Sequence, residues 1–149
     1  MSMPYTPLTD QWHWYSNAKA EPTATESLAA EDAEPTLADQ SIIRLRICLA
    51  NAGSTADASV TISMKYSPNS DMSSPVAFGA ANAWNYAASG YAQEGSAVTT
   101  LLLTTGKVKN EYCESGTNVV SIAKASANEL DISIQPTINA ANSTKYYFQ

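Results

Sequence analysis

The residues able to do chemistry are few here, and their spacing argues against a catalytic centre. The one histidine, His13, stands between Trp12 and Trp14. A Ser-His-Asp site needs a base, an orienting group and an oxyanion pocket. No nucleophile near His13 suggests itself, so a strand histidine on the less buried face is the simpler reading. Glu111 and Glu114 flank Tyr112 and Cys113. Residues three apart on a strand face opposite sides, so this pair does not share the cleft that a glycosidase requires. Glu129 and Asp131 do share a face, but they oppose the apolar Leu130, which predicts a place on the outer surface. Asp57 and Asp71 sit singly in loops, and the EF-hand pattern is absent. The six glycines are scattered and form no phosphate loop. Cys48 and Cys113 lie 65 positions apart, which is neither a metal nor a redox spacing. Isolated thiols fit a reducing compartment, with a single disulfide between them left open. The expectation is therefore no catalytic residue, no cofactor and no metal ligand.

The aromatic cluster Trp12, Trp14 and Tyr15 has two readings: a platform for stacking sugars, or an anchor for the segment that carries it. The anchor is favoured, because burying one tryptophan is worth a few kcal/mol by area. Residues 1–41 carry seven acids (Asp10, Glu21, Glu26, Glu31, Asp32, Glu34, Asp39) against one base, Lys19. Residues 42–149 hold seven acids and seven bases, so the whole formal charge of −6 sits in the first segment. The expected organisation is an acidic N-terminal arm, 1–41, and a β-sandwich domain, 42–149. Trp12, Trp14, Tyr15, Leu28 and Tyr147 are the expected assembly contacts.

The elements that would position these residues are strands. Ile43, Leu45, Ile47 and Leu49 alternate with Arg44, Arg46 and Cys48, the signature of a half-buried strand. Val60, Ile62, Met64 and Tyr66 alternate against Thr61, Ser63 and Lys65, and the two runs read as a hairpin. Leu130, Ile132 and Ile134 form a third alternating strand, stopped by Pro136. The compact run Val98–Thr104 reads as a strand buried on both faces. Shorter strands are expected at Val76–Phe78, Asn110–Glu114, Val119–Ala123 and Lys145–Gln149, and either a short helix or an extended run near Thr25–Ala33. About eight or nine short strands predict an all-β, antiparallel β-sandwich, Ig-like or jelly-roll-like, with an extended N-terminal arm.

Composition points the same way. Of 149 residues, 24 are Ala, 18 Ser, 14 Thr and 10 Asn, types that lose little side-chain entropy on ordering and suit close packing between subunits. Lys and Arg form no cluster, which argues against nucleic acid. No stretch approaches 18 apolar residues, and the start lacks a secretory pattern, so no membrane span and assembly in the cytoplasm are expected.

The run Ile43-Arg44-Leu45-Arg46-Ile47, then Asn51-Ala52-Gly53, then Met64-Lys65-Tyr66-Ser67, follows an acidic Ala29-Ala30-Glu31-Asp32. After it come Glu111-Tyr112-Cys113-Glu114-Ser115, Glu129-Leu130-Asp131-Ile132 and Tyr146-Tyr147-Phe148. Together these resemble a loosely defined group of β-sandwich modules found in bacteriophage structural proteins and some bacterial surface proteins. The chain departs from that pattern at Met72–Phe78, where the group carries a tryptophan. The resemblance implies a sandwich and, by analogy, a non-enzymatic virion protein: a capsid decoration or head-surface protein, or a tail component. Its expected partners are copies of itself in a repeating assembly and a major capsid or tail protein. A cell-surface filament or adhesion subunit and a carbohydrate-binding module using Trp12, Trp14 or Trp84 are the alternatives.

Overall fold

A computed structural model describes residues 7–37, 40–52, 58–91, 93–104, 108–137, 140 and 144–149. Among the described residues ten strands run in chain order: β1 Pro7–Ser16, β2 Ile43–Asn51, β3 Ala58–Thr61, β4 Lys65–Ser67, β5 Val76–Ala77, β6 Trp84–Tyr86, β7 Val108–Cys113, β8 Val119–Ile122, β9 Ser126–Pro136 and β10 Tyr147–Phe148. A 3₁₀ turn at Ala24–Glu26 is the only helical element among the described residues, where a short helix or an extended run was expected. It is closed by Glu26, whose carboxylate accepts from the Thr23 N–H and hydroxyl, each at 2.7 Å. Among the described residues no helix is long and apolar enough to cross a membrane.

The fold is an all-β sandwich. Its main sheet has the order β1-β2-β9-β6, with β7 also paired to β9. β9 is the axis of this sheet: β2 matches it antiparallel from Ile43↔Ile134 to Asn51↔Ser126. β7 joins β9 in parallel, with Tyr112 beside Asp131 and Cys113 beside Ile132. Parallel neighbours need a crossover, and residues 114–125, carrying β8, provide it. The second layer consists of the sheets β10-β4-β5 and β3-β8.

Strand alternation places one side of the main sheet in the core. Trp14, Ile43, Leu45, Leu49, Trp84, Cys113, Leu130, Ile132 and Ile134 pack against Met64, Tyr66, Phe78, Val120 and Ile122 of the other layer. Edge-to-face contacts seal the far end, with Phe148 4.9 Å and Tyr146 5.9 Å from the Trp84 ring. Fully buried apolar side chains of this size each contribute roughly 1.5–3 kcal/mol by area.

Three expectations need correction. The runs 43–49 and 60–66 do not form a hairpin, because β2 pairs with β1 and β9 while β3 pairs with β8. Residues 60–66 keep their alternation but divide into β3 and β4, which belong to different sheets. Val98–Thr104 is not a strand: Val98 and Leu103 are buried, but the backbone bonds mostly to side chains. Cys48 and Cys113 are free thiols, the reading their spacing favoured, and the disulfide left open is not formed. Their registers place them on opposite faces of the main sheet, Cys48 opposite Glu129 and Cys113 beside the core residue Ile132.

Candidate functional site

The other face of the main sheet carries the chain's most concentrated polar chemistry. Register aligns Arg44, Arg46 and Cys48 of β2 with Ser133, Asp131 and Glu129 of β9, and His13 and Tyr15 of β1 with Arg46 and Arg44. β7 adds Tyr112 beside Asp131. This face was expected to meet solvent. Instead Arg44, Arg46, Glu129 and Asp131 are all 0 % exposed. Two irregular segments cover them, one following β1 and one spanning 98–104.

Asp131 sits between the two guanidinium groups. Arg44 donates to it through Nε at 2.7 Å and Nη2 at 3.0 Å, and Arg46 through Nε at 2.5 Å. Arg46 also donates from Nη1 to Glu129 at 3.0 Å and from Nη2 to Glu21 at 2.9 Å. The planar fork of arginine suits this use, because its donors reach several acceptors at once. The remaining donors take carbonyls: Arg44 reaches Lys19 O and Ala20 O at 2.6 and 2.7 Å, and Arg46 reaches Thr100 O at 2.8 Å. Beneath them the Tyr112 ring lies 5.3 Å from the Arg44 guanidinium and 6.0 Å from that of Arg46.

The carboxylates complete the closure. Glu129 accepts the Leu102 N–H at 2.7 Å and the Leu103 N–H at 3.1 Å. Glu21 accepts the Thr99 N–H at 2.9 Å and the Tyr112 hydroxyl. Further out, Glu31 accepts from the Thr104 hydroxyl at 3.1 Å. Backbone amides that would have paired in a strand are thus satisfied by acids, as buried donors must be.

The electrostatics follow the geometry. Burial alone would push Glu21 up, yet hydrogen bonds from Tyr112, Thr99 and Arg46 bring it below the ordinary carboxylate range. Burial likewise disfavours the charged form of Arg46, but Asp131 and Glu21 outweigh it and hold the guanidinium above its usual value. Burial raises the Tyr112 phenol to about 12, with the Glu21 carboxylate adding to the effect. Tyr15 is also raised to about 12, mainly by burial. Charged groups so mutually engaged hold one another and their covering segments in place. Breaking one buried pair by removing a partner typically costs 3–5 kcal/mol.

Of the sequence-nominated assembly contacts, Tyr15 is the one that lies on this face. Trp14 and Tyr15 are 6 % and 3 % exposed and lie within the chain's own sheet, Trp14 in the core and Tyr15 on the ionic face. Leu28 is half-buried against the core, and its N–H bonds to Trp14 O at 2.9 Å. Trp12 is 37 % exposed. Tyr147, half-buried, lines a shallow polar hollow of about 500 Å³ with Pro68, Asn69, Ser70, Asp71 and Ser73. Trp84 is 5 % exposed in the core, so neither it nor Trp14 presents a face for a sugar.

The structure gives His13 a neighbour that sequence did not reveal. Its Nε2 lies 2.7 Å from Ser27 Oγ. That hydroxyl already donates to Ala29 O at 2.6 Å, so the imidazole is the donor of the pair and takes no proton from serine. Glu111 is raised by burial, with Glu94 adding repulsion. Glu114 turns to the Ser89 N–H at 2.9 Å, and Asp71 closes its own loop on the Ser73 N–H. Asp57 lies outside the described residues. Among the described residues no group of His, Cys, Asp or Glu is placed to hold a metal ion.

Glu21 and Tyr112 are the site residues that sequence reasoning passed over. Glu21 is one of seven acids in its segment, with no local pattern to single it out. Arg44 and Arg46 against Glu129 and Asp131 did carry a signal: opposite charges at i, i+2 on two strands are the mark of a cross-strand pair. No family model, curated protein or solved structure matches the chain.

Proposed function

We propose that the chain is a non-enzymatic structural subunit of a repeating assembly, and that the assembly is the surface or tail of a bacteriophage virion, where a major capsid or tail protein is its partner. The observation that supports this reading is the use of the ionic face. Arg44, Arg46, Glu129, Asp131, Glu21 and Tyr112 bond to one another and to the backbone of the covering segments. Groups that could act on a substrate instead hold the subunit together. What the surface offers is shape and apolar contact, including Trp12, Tyr91 at 51 % and Val119 at 61 % exposure. Large aromatic side chains of this kind favour protein interfaces. Of its three tryptophans, burial of Trp14 and Trp84 leaves the carbohydrate-binding alternative only the exposed Trp12.

Mass spectrometry of purified particles from the source carrying this gene tests the proposal. The chain is expected in many copies per particle. Particles that contain the capsid and tail proteins but lack this chain would overturn it.

A further inference from the structure

We propose that the hollow between the 68–73 loop and β10 is a binding site for a sugar, with the Tyr147 ring as its stacking surface and the loop's polar side chains reading the hydroxyls. The site is additional to the assembly role and stands or falls separately from it.

Alternation in the last strand sets the aromatic wall. Tyr146 and Phe148 pack on Trp84 in the core, so Tyr147 between them points outward. Its register partner is Ser67, and directly opposite residues share a face. The loop that follows Ser67 therefore folds beside the ring. The Lys145 ammonium, paired with Glu34 at 2.7 Å, stands 5.4 Å from the ring centroid and steadies it. Ring and loop line the hollow of about 500 Å³, within the roughly 300–1,000 Å³ typical of small-molecule sites.

The loop is ordered by its own polar groups. Ser67 Oγ donates to Ser73 O at 2.7 Å and accepts the Asn69 N–H at 3.1 Å. The Met72 N–H bonds to Asn69 O at 3.0 Å, and Asp71 Oδ1 accepts the Ser73 N–H at 2.9 Å. Met72 and Ser74 are held in the left-handed region, at φ 57° and 52°. Residues with a side chain adopt it at a cost, and such positions gather at ligand sites. A wall fixed before the ligand arrives loses little entropy on binding.

The lining chooses the ligand class. Asn69, Ser70, Asp71 and Ser73 are all exposed, and they offer an amide, two hydroxyls and a carboxylate. The Ser73 hydroxyl and N–H hold Asp71 below the ordinary carboxylate range, so it is charged at neutral pH. Among the described residues no lysine or arginine lines the hollow, and Asp71 repels phosphates and other anions. A lone carboxylate makes a poor cation site. An apolar ligand would find only Tyr147 and Pro68. A pyranose matches both walls. Its C–H face lies against the electron-rich face of the ring, and adjacent hydroxyls donate to Asp71 and exchange hydrogen bonds with Asn69. So few contacts hold one sugar weakly, on the order of millimolar. Copies arrayed on one surface would strengthen this through avidity.

Saturation-transfer NMR of the full chain tests the site, with the methyl glycosides of glucose, galactose, mannose, N-acetylglucosamine and N-acetylgalactosamine at millimolar concentration. At least one should take up saturation, most strongly at its ring C–H protons. Asp71→Asn keeps an acceptor for the Ser73 N–H but loses the charge, and Tyr147→Leu loses the aromatic face. Each should weaken binding by roughly tenfold or more. Saturation of no glycoside overturns the inference, as does a signal that survives either substitution. A signal lost in Trp12→Ala but kept in both variants places the sugar on Trp12 and also overturns it. If the variants fail to fold, amide shifts of the wild type during titration decide. Changes centred on Asn69–Ser73 and Tyr147 support the site, and changes confined elsewhere overturn it. Absence of the chain from virions would leave these outcomes intact.

Discussion

Replacing Asp131 by Asn removes the charge on which both arginines converge. The side chain is 0 % exposed and accepts from Arg44 Nε, Arg44 Nη2 and Arg46 Nε. Asparagine keeps one acceptor oxygen and turns an NH2 group toward a guanidinium. Arg46 retains Glu129 and Glu21, but Arg44 is left with the carbonyls of Lys19 and Ala20. An uncompensated buried charge of this kind costs about 3–5 kcal/mol. For a domain of this size, 1 kcal/mol moves Tm by about 2–4 °C, so the expected fall is roughly 6–20 °C. Urea unfolding followed by tryptophan fluorescence should show a lower midpoint with an unchanged slope. Adding Arg44→Met to Asp131→Asn removes the stranded charge and should recover part of the loss. An Asp131→Asn variant within about 0.5 kcal/mol of wild type, the range of ordinary surface changes, would show that the buried charge is not held by Asp131. Simple additivity of the two substitutions would show the same, because coupled neighbours are not additive.

Glu21 sits below its ordinary value of 4.5 in the folded chain, so its contribution is present above that value and fades as pH falls through the folded pKa. Glu21→Gln should therefore destabilise at neutral pH, with the gap to wild type closing below about pH 4.5 in acid titrations. Tyr15 and Tyr112 stay neutral to about 12, so phenolate absorbance should show a late step that Tyr112→Phe reduces. Their share of stability is complete below the usual tyrosine pKa near 10 and is lost as pH rises through about 12. Gly116→Ala should cost about 1–3 kcal/mol in chemical denaturation. A Cβ there would lie 2.9 Å from the Tyr86 ring, whose hydroxyl is pinned by the Met64 N–H at 2.6 Å.

Much of the fold was legible because apolar alternation is a local signal. Ile43–Leu49 and Leu130–Ile134 were readable as strands with one face in the core, and that face is where the structure places it. The fate of the opposite face was not legible. Whether an Arg-Asp-Glu face meets water or other protein depends on segments distant in sequence: Glu21 is 25 residues from Arg46, and Leu102 is 27 from Glu129. Val98–Thr104 misled for the same reason. Its β-branched and apolar run has strand composition, but its amides at Thr99, Leu102, Leu103 and Thr104 go to the carboxylates of Glu21, Glu129 and Glu31. The first 41 residues read as an arm because their acidic composition lacks a repeating pattern. Trp12 and Trp14 were the correct local hint of strand structure there, and β1 forms the edge of the main sheet.

The covering segments close the ionic face through their backbone amides. Amide hydrogen exchange resolved by residue tests this closure most directly at Thr99, Leu102 and Leu103, which belong to no strand. Their N–H groups bond to Glu21 and Glu129. Slow exchange is expected at these three positions, approaching that of β9, with faster exchange at Thr99 in Glu21→Gln. Exchange at the rate of an open loop in the wild type would contradict it.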